Sequence, residues 1–169
     1  MNNKWFSALA MLLPMLLLVL ATVMILSQKT DAPDIAFTTI DGTPLRLKQL
    51  RGKVVLVNFW ATTCTSCVGE MPKMVEAYKA LAPQGYEMVA VAMEYDRPDW
   101  VLNYAKQHAL PFSVALDLKG EAEQAFGGVR LTPTSFLIDK QGHIVQRYLG
   151  EPDFAKLKLK ISELLTQNV

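Results

Sequence analysis

Between Lys53 and Trp60 the chain reads Val-Val-Leu-Val-Asn-Phe-Trp, an almost unbroken apolar run rich in β-branched and aromatic types. A strand with one wet face alternates apolar and polar residues. A run without alternation fits a strand covered on both faces, as in a parallel sheet. Tyr86–Met93 repeats the pattern with Tyr-Glu-Met-Val-Ala-Val-Ala-Met. Between the two, Thr65 to Leu81 puts Val68, Met71, Val75, Tyr78 and Leu81 on one helical face, and Pro83 and Gly85 close the helix. Strands that need cover on both sides, alternating with amphipathic helices, confine the chain to an α/β sandwich.

The flanking segments complete that plan. Ile35–Ile40 and Leu45–Leu47 surround Asp41-Gly42, a hairpin signal. Pro98 opens a helix over 98–108, a strand follows at Phe112–Leu116, and a short helix over 121–126 ends at Gly127-Gly128. Thr134–Ile138 and Ile144–Leu149 flank Asp139-Lys140-Gln141-Gly142 as a second hairpin, and a last helix covers 153–165. The β-β-α finish makes the sheet mixed.

Trp5 to Leu26 carries no charge and is interrupted only by Ser7, Pro14 and Thr22. A helix of that length crosses the ~30 Å hydrocarbon core of a bilayer. A core helix would show a polar face, and a cleaved secretory segment usually has an apolar stretch of only ~7–15 residues. Residues 1–27 are therefore expected to be a transmembrane anchor, 28–33 a polar tether and 34–169 the folded domain. Lys4 precedes the span, which by the positive-inside rule places the domain outside the cytoplasm. Lys4 and Lys29 also account for the net charge of +1, since 15 Lys+Arg face 16 Asp+Glu from Asp31 onward. A nucleic-acid partner would need a clustered basic surface, and none is present in this balance.

The two cysteines, Cys64 and Cys67, stand three apart where the first buried strand gives way to its helix. A helix N-terminus offers unpaired N–H groups and partial positive charge, which stabilise a thiolate. Cys64, ahead of the first turn, is expected to be the nucleophile and Cys67, within it, the buried resolving thiol. Thiol–disulfide exchange needs no cofactor, because the electrons travel in the sulfur pair. A zinc site would need two further ligands, and His108 and His143 are the only imidazoles.

The stretch Asn58-Phe59-Trp60-Ala61-Thr62-Thr63-Cys64-Thr65-Ser66-Cys67-Val68-Gly69-Glu70-Met71-Pro72 resembles the thioredoxin superfamily. More narrowly it resembles the TlpA/ResA/CcmG-type membrane-anchored disulfide reductases, which carry Asn-Phe-Trp-Ala before the pair and Cys-x-x-Glu-x-Pro after it. Leu131-Thr132-Pro133-Thr134 resembles the family's cis-proline loop. The resemblance covers roughly residues 34–166 and implies a thioredoxin-like fold with an N-terminal hairpin and a helix-strand insertion near 95–117. It implies catalytic roles for Cys64, Cys67 and Pro133, and a substrate surface at Trp60, Thr132 and Pro133. It also implies a protein disulfide substrate such as apocytochrome c, a membrane electron-donor protein, and a place on the bacterial inner membrane facing the periplasm or cell exterior. Thr63 stands where Trp is usual and Ser66 where Pro is usual, so reductase and more general periplasmic oxidant both stay open.

Cytosolic thioredoxins have a titratable aspartate where this chain has Asn58, so another acid is expected beneath the pair. Glu94, at the end of the second buried strand, is the candidate, whereas Glu70 reads as a surface or first-turn helix residue. A peroxiredoxin-like peroxidase would show Pro-x-x-x-Thr-x-x-Cys, but Val57 and Ala61 hold the proline and threonine places. A copper-delivery protein would space its cysteines one residue further apart.

Overall fold

The computed structural model describes Met15 and residues 30–167, so the expected anchor over 1–27 lies outside the described residues. Among the described residues no helix is long and apolar enough to cross a membrane. Asp31 to Val169 form one compact unit.

The strands are β1 (Thr30–Asp31), β2 (Ala36–Thr39), β3 (Pro44–Arg46), β4 (Val54–Trp60), β5 (Tyr86–Ala92), β6 (Ser113–Leu116), β7 (Thr134–Ile138) and β8 (His143–Leu149). They form a single sheet in the order β1-β8-β7-β4-β5-β6-β2-β3. The helices are α1 (Thr65–Leu81), α2 (Pro98–Gln107), α3 (Glu121–Ala125) and α4 (Phe154–Thr166). These bounds follow the apolar runs and turn signals of the sequence to within a residue or two.

β4 runs parallel to β5, pairing Trp60 with Ala92, and antiparallel to β7, pairing Phe59 with Thr134. All seven of its residues are buried. Its alternating side chains divide the core in two, as the period of a strand requires. Val54, Leu56 and Trp60 pack with Met71 and Met74 of α1, Val101 of α2, and Leu157 and Ile161 of α4. Val55, Val57 and Phe59 face Phe37, Leu50, Phe126 of the α3 end and Phe136. The hairpin β2–β3 joins the far edge through β6, with Thr38 opposite Leu116.

Two expectations shift. The buried stripe of α1 is Cys67, Glu70, Met71, Met74, Ala77 and Leu81, while Val68, Val75 and Tyr78 are only half-buried. The helix is rotated so that its N-terminal turn, carrying Cys67, lies against the sheet. Residues 30–33 are also not wholly a free tether. Thr30–Asp31 add to the sheet edge, and the Ala32 N–H donates to the Gly142 carbonyl at 2.9 Å.

Because every core element among the described residues lies beyond Thr30, a chain beginning near Asp31 is expected to be soluble and to melt in one cooperative transition. Circular dichroism of that shortened chain checks this, and aggregation or a broad, uncooperative melt is the contrary result.

Candidate active site

β4, β5 and the start of β7 bring three loops to one sheet edge, because parallel neighbours end together and an antiparallel neighbour begins where they end. The first loop leads from Trp60 into α1. Cys64 is the N-cap of α1, with extended backbone (φ −90°, ψ 105°). The Cys67 N–H donates to the Cys64 Sγ at 3.2 Å, and the Ser66 hydroxyl lies 3.4 Å from that sulfur. The two cysteines are disulfide-bonded, with Cα atoms 5.2 Å apart. Cys64 is half-buried whereas Cys67 has no exposed surface, so an incoming thiolate or disulfide meets Cys64.

The buried acid of α1 is Glu70. One helical turn after Cys67 and on the same buried stripe, it is wholly inaccessible to water. Asn58 of β4, also inaccessible, donates through Nδ2 to Glu70 Oε1 at 3.2 Å and to Ser135 Oγ at 2.9 Å. Burial pushes the Glu70 carboxyl up to about 7, and the nearby charge of Glu151 adds to this. The Asn58 hydrogen bond and Lys73 oppose the rise without cancelling it. The helical spacing Cys67-x-x-Glu70 was the available signal, since i and i+3 share a face.

Glu94 is not beneath the pair. It is exposed, and its carboxylate lies over the Gly120 backbone, where an added Cβ would stand 2.8 Å from Oε2, on the side of Glu123. β5 stops at Ala92, and a turn closed by Asp96 N–H to the Met93 carbonyl (3.0 Å) carries Glu94 outward. Trp60 likewise departs from expectation as a substrate-contacting residue. It is fully buried, with its ring 5.2 Å from that of Tyr104, because β4 is covered on both faces through its last residue.

The second loop contains Thr132 and Pro133, joined by a cis peptide bond. Pro133 is buried and its carbonyl accepts from the Gly150 N–H at 2.8 Å. The Thr134 hydroxyl donates to the Leu131 carbonyl at 2.7 Å. Thr132 is half-buried, and its N–H and carbonyl make no backbone hydrogen bond among the described residues. The third loop follows β5. Its Asp96 is buried and accepts from the Thr62 N–H and hydroxyl at 2.6 Å each, and from the Arg97 N–H at 3.0 Å. Asp96 thus ties down the loop ahead of Cys64, a contact the sequence reading did not identify. An acid between an apolar strand and a Pro-led helix was its only trace.

The imidazoles are engaged elsewhere. His108 stacks on Tyr104 with ring centroids 4.0 Å apart, and His143 lies 3.2 Å from Asp139. Among the described residues no three His, Cys, Asp or Glu side chains are grouped to hold a metal ion.

A sheet edge carrying a Cys-x-x-Cys helix cap beside a cis-proline loop is the redox centre of a thioredoxin-like domain. The profile of the AhpC/TSA family matches residues 29–147, and the chain belongs to that family of thioredoxin-like proteins. It is 42% identical to thiol-disulfide oxidoreductase ResA of Bacillus thuringiensis subsp. konkukian (strain 97-27) over 122 residues, 72% of this chain and 69% of that one. It is 35% identical to the ResA of Bacillus subtilis (strain 168) over 125 residues, 74% of this chain and 69% of that protein. The thiol:disulfide interchange protein of Chlorobium tepidum TLS superposes with a TM-score of 0.76 at 32% identity, over 82% of this chain and 98% of that one. StoA of Bacillus subtilis superposes at 0.65 and 25% identity, over 76% and 95%. The chain is a thiol–disulfide oxidoreductase, with Cys64 and Cys67 as its disulfide.

The raised Glu70 carboxyl carries a pH signature. The native state holds a proton there that the unfolded chain releases above about 4.5, the ordinary glutamate value. The associated stability is complete below that pH and is lost as pH rises through about 7, by about 3 kcal/mol in all. Urea titrations of the oxidised protein at pH 5 and pH 8 should show the loss, and Glu70→Gln should flatten it.

Proposed function

We infer that the protein is an extracytoplasmic protein-disulfide reductase, held at the bacterial inner membrane by residues 1–27. The observation that carries the chemistry is the pairing of a half-exposed Cys64 at a helix N-terminus with a buried Cys67, one helical turn before the buried Glu70 carboxyl. In the reduced protein the Cys64 thiolate attacks one sulfur of a substrate disulfide. A Cys64–substrate disulfide forms, the substrate S–S bond breaks, and one substrate thiolate leaves. Cys67 then passes its proton to Glu70 and attacks the Cys64 sulfur, which releases the second substrate thiolate and closes the Cys64–Cys67 bond. Two electrons move from the protein dithiol to the substrate, so each cycle needs recharging by a dithiol donor, here a membrane electron-donor protein.

Pro133 and Thr132 take the substrate backbone at the free edge beside the disulfide. The motif resemblance to the TlpA/ResA/CcmG-type reductases supports the reductive direction, and with it apocytochrome c as a substrate. The peroxidase alternative is disfavoured because Ala61 leaves the active-site loop without the threonine of the peroxidatic pattern. A general oxidant differs from a reductase in potential, so equilibration against glutathione decides the direction: a strongly reducing pair supports this reading and an oxidising one overturns it.

Cys67→Ser should trap a mixed disulfide with a protein substrate through Cys64, whereas Cys64→Ser should trap none. Non-reducing gels of the two variants check the assignment, and faster alkylation of Cys67 than of Cys64 in the reduced protein would reverse it.

A further inference from the structure

Tyr95 and Asp96 are consecutive in the turn after β5, yet each reaches a different wall of the site. Asp96 is buried and fastens the loop before Cys64 through Thr62. Tyr95 places its hydroxyl 3.3 Å from the Thr132 hydroxyl in the cis-proline loop. The turn therefore bridges the two segments that carry the exchange, although neither residue is needed to move an electron or a proton. Tyr95 remains 62% exposed, and so does Leu131, the neighbour of Thr132 in sequence.

An unsupported surface tyrosine loses side-chain freedom when it meets a ligand. The Tyr95 ring is held at its base by a turn anchored through buried Asp96 and at its tip by the Thr132 contact, so most of that ordering is already done. A large, amphipathic ring fixed against the cis-proline loop, whose Leu131 is also exposed, is suited to receive an apolar group. Thr132 lies against the Tyr95 hydroxyl and next to Leu131 in sequence, and its N–H and carbonyl make no backbone hydrogen bond among the described residues, so a backbone that pairs there in extended form delivers its side chains to this rim.

We propose that Tyr95 is a specificity-determining residue that packs, together with Leu131, on an apolar side chain next to the substrate's disulfide cysteine. The inference rests on the redox reading above and narrows its substrate class to disulfides in extended polypeptide with an apolar neighbour.

The test uses reduced, desalted protein and two synthetic peptides of equal length, each closed by one Cys-x-x-Cys disulfide. They differ only in a leucine or a serine beside the cysteine pair. The wild type should reduce the leucine peptide faster, and Tyr95→Ala should lower that preference about tenfold. Tyr95→Phe, which keeps the ring, should retain most of it. A preference that survives Tyr95→Ala, or a wild type that treats the peptides alike, overturns the proposal. So does an equal loss in Tyr95→Phe, which would assign the effect to the hydroxyl. A wild type that reduces neither peptide overturns the redox reading itself, and this inference falls with it.

Discussion

β4 is hydrogen-bonded on both sides, to β5 from Val54 through Trp60 and to β7 from Val55 through Phe59. Its side chains are locked into two separate cores, so its last residue cannot shift without disturbing both layers. Everything the site does depends on that fixed end. It delivers Cys64 to the N-cap of α1, where the chain turns from extended to helical and the helix presents its unpaired N–H groups. The same antiparallel register sets Thr134 beside Phe59, so the cis-proline loop has a fixed distance from the cysteines. Asp96 adds the third constraint by holding Thr62, two residues before Cys64.

A buried carboxyl is ordinarily a liability, since the charged form loses its water. Glu70 avoids part of that by accepting from Asn58, and by keeping its proton up to about pH 7 where an ordinary glutamate loses it near 4.5. The proton it holds or releases near neutrality is what a resolving thiol needs, because a thiol in apolar surroundings gives up its own reluctantly. The acid expected at the end of the second buried strand, at Glu94, is carried instead by the helix. Asn58 orients it and leaves only one titratable group there. Two adjacent acids in that space would have repelled each other.

Much of this was legible in the sequence for physical reasons. Buried strands such as β4 and β5 have no polar face to confuse with anything else, and α1 spans Thr65–Leu81 as its periodicity and the Pro83–Gly85 stop require. The cysteine pair declared itself by lying at the strand-to-helix junction. Three site residues were misplaced. Glu94 reads as the end of the strand over 86–93, but the strand stops at Ala92 and a turn replaces it. The resemblance implies a substrate contact for Trp60, although β4 is covered to its end. Glu70 looked like a solvated helix residue because charge normally marks the wet face, and only the Cys67 spacing pointed inward.

Asp96 and Tyr95 were invisible for a different reason. Their roles come from contacts across 34 and 37 residues of sequence, to Thr62 and to Thr132, and no local pattern encodes a partner that distant. Such contacts also explain how one scaffold can change partners without changing its chemistry. The cysteines, Glu70 and the cis-proline loop are fixed by β4 and its neighbours, which belong to the core. Tyr95, in the turn after β5, stands exposed outside that core. A substitution there changes what stands beside the substrate while leaving the strands that aim Cys64 in place. Substrate choice and electron transfer thus reside in different parts of the same sheet edge, one anchored by burial and the other by a few polar contacts.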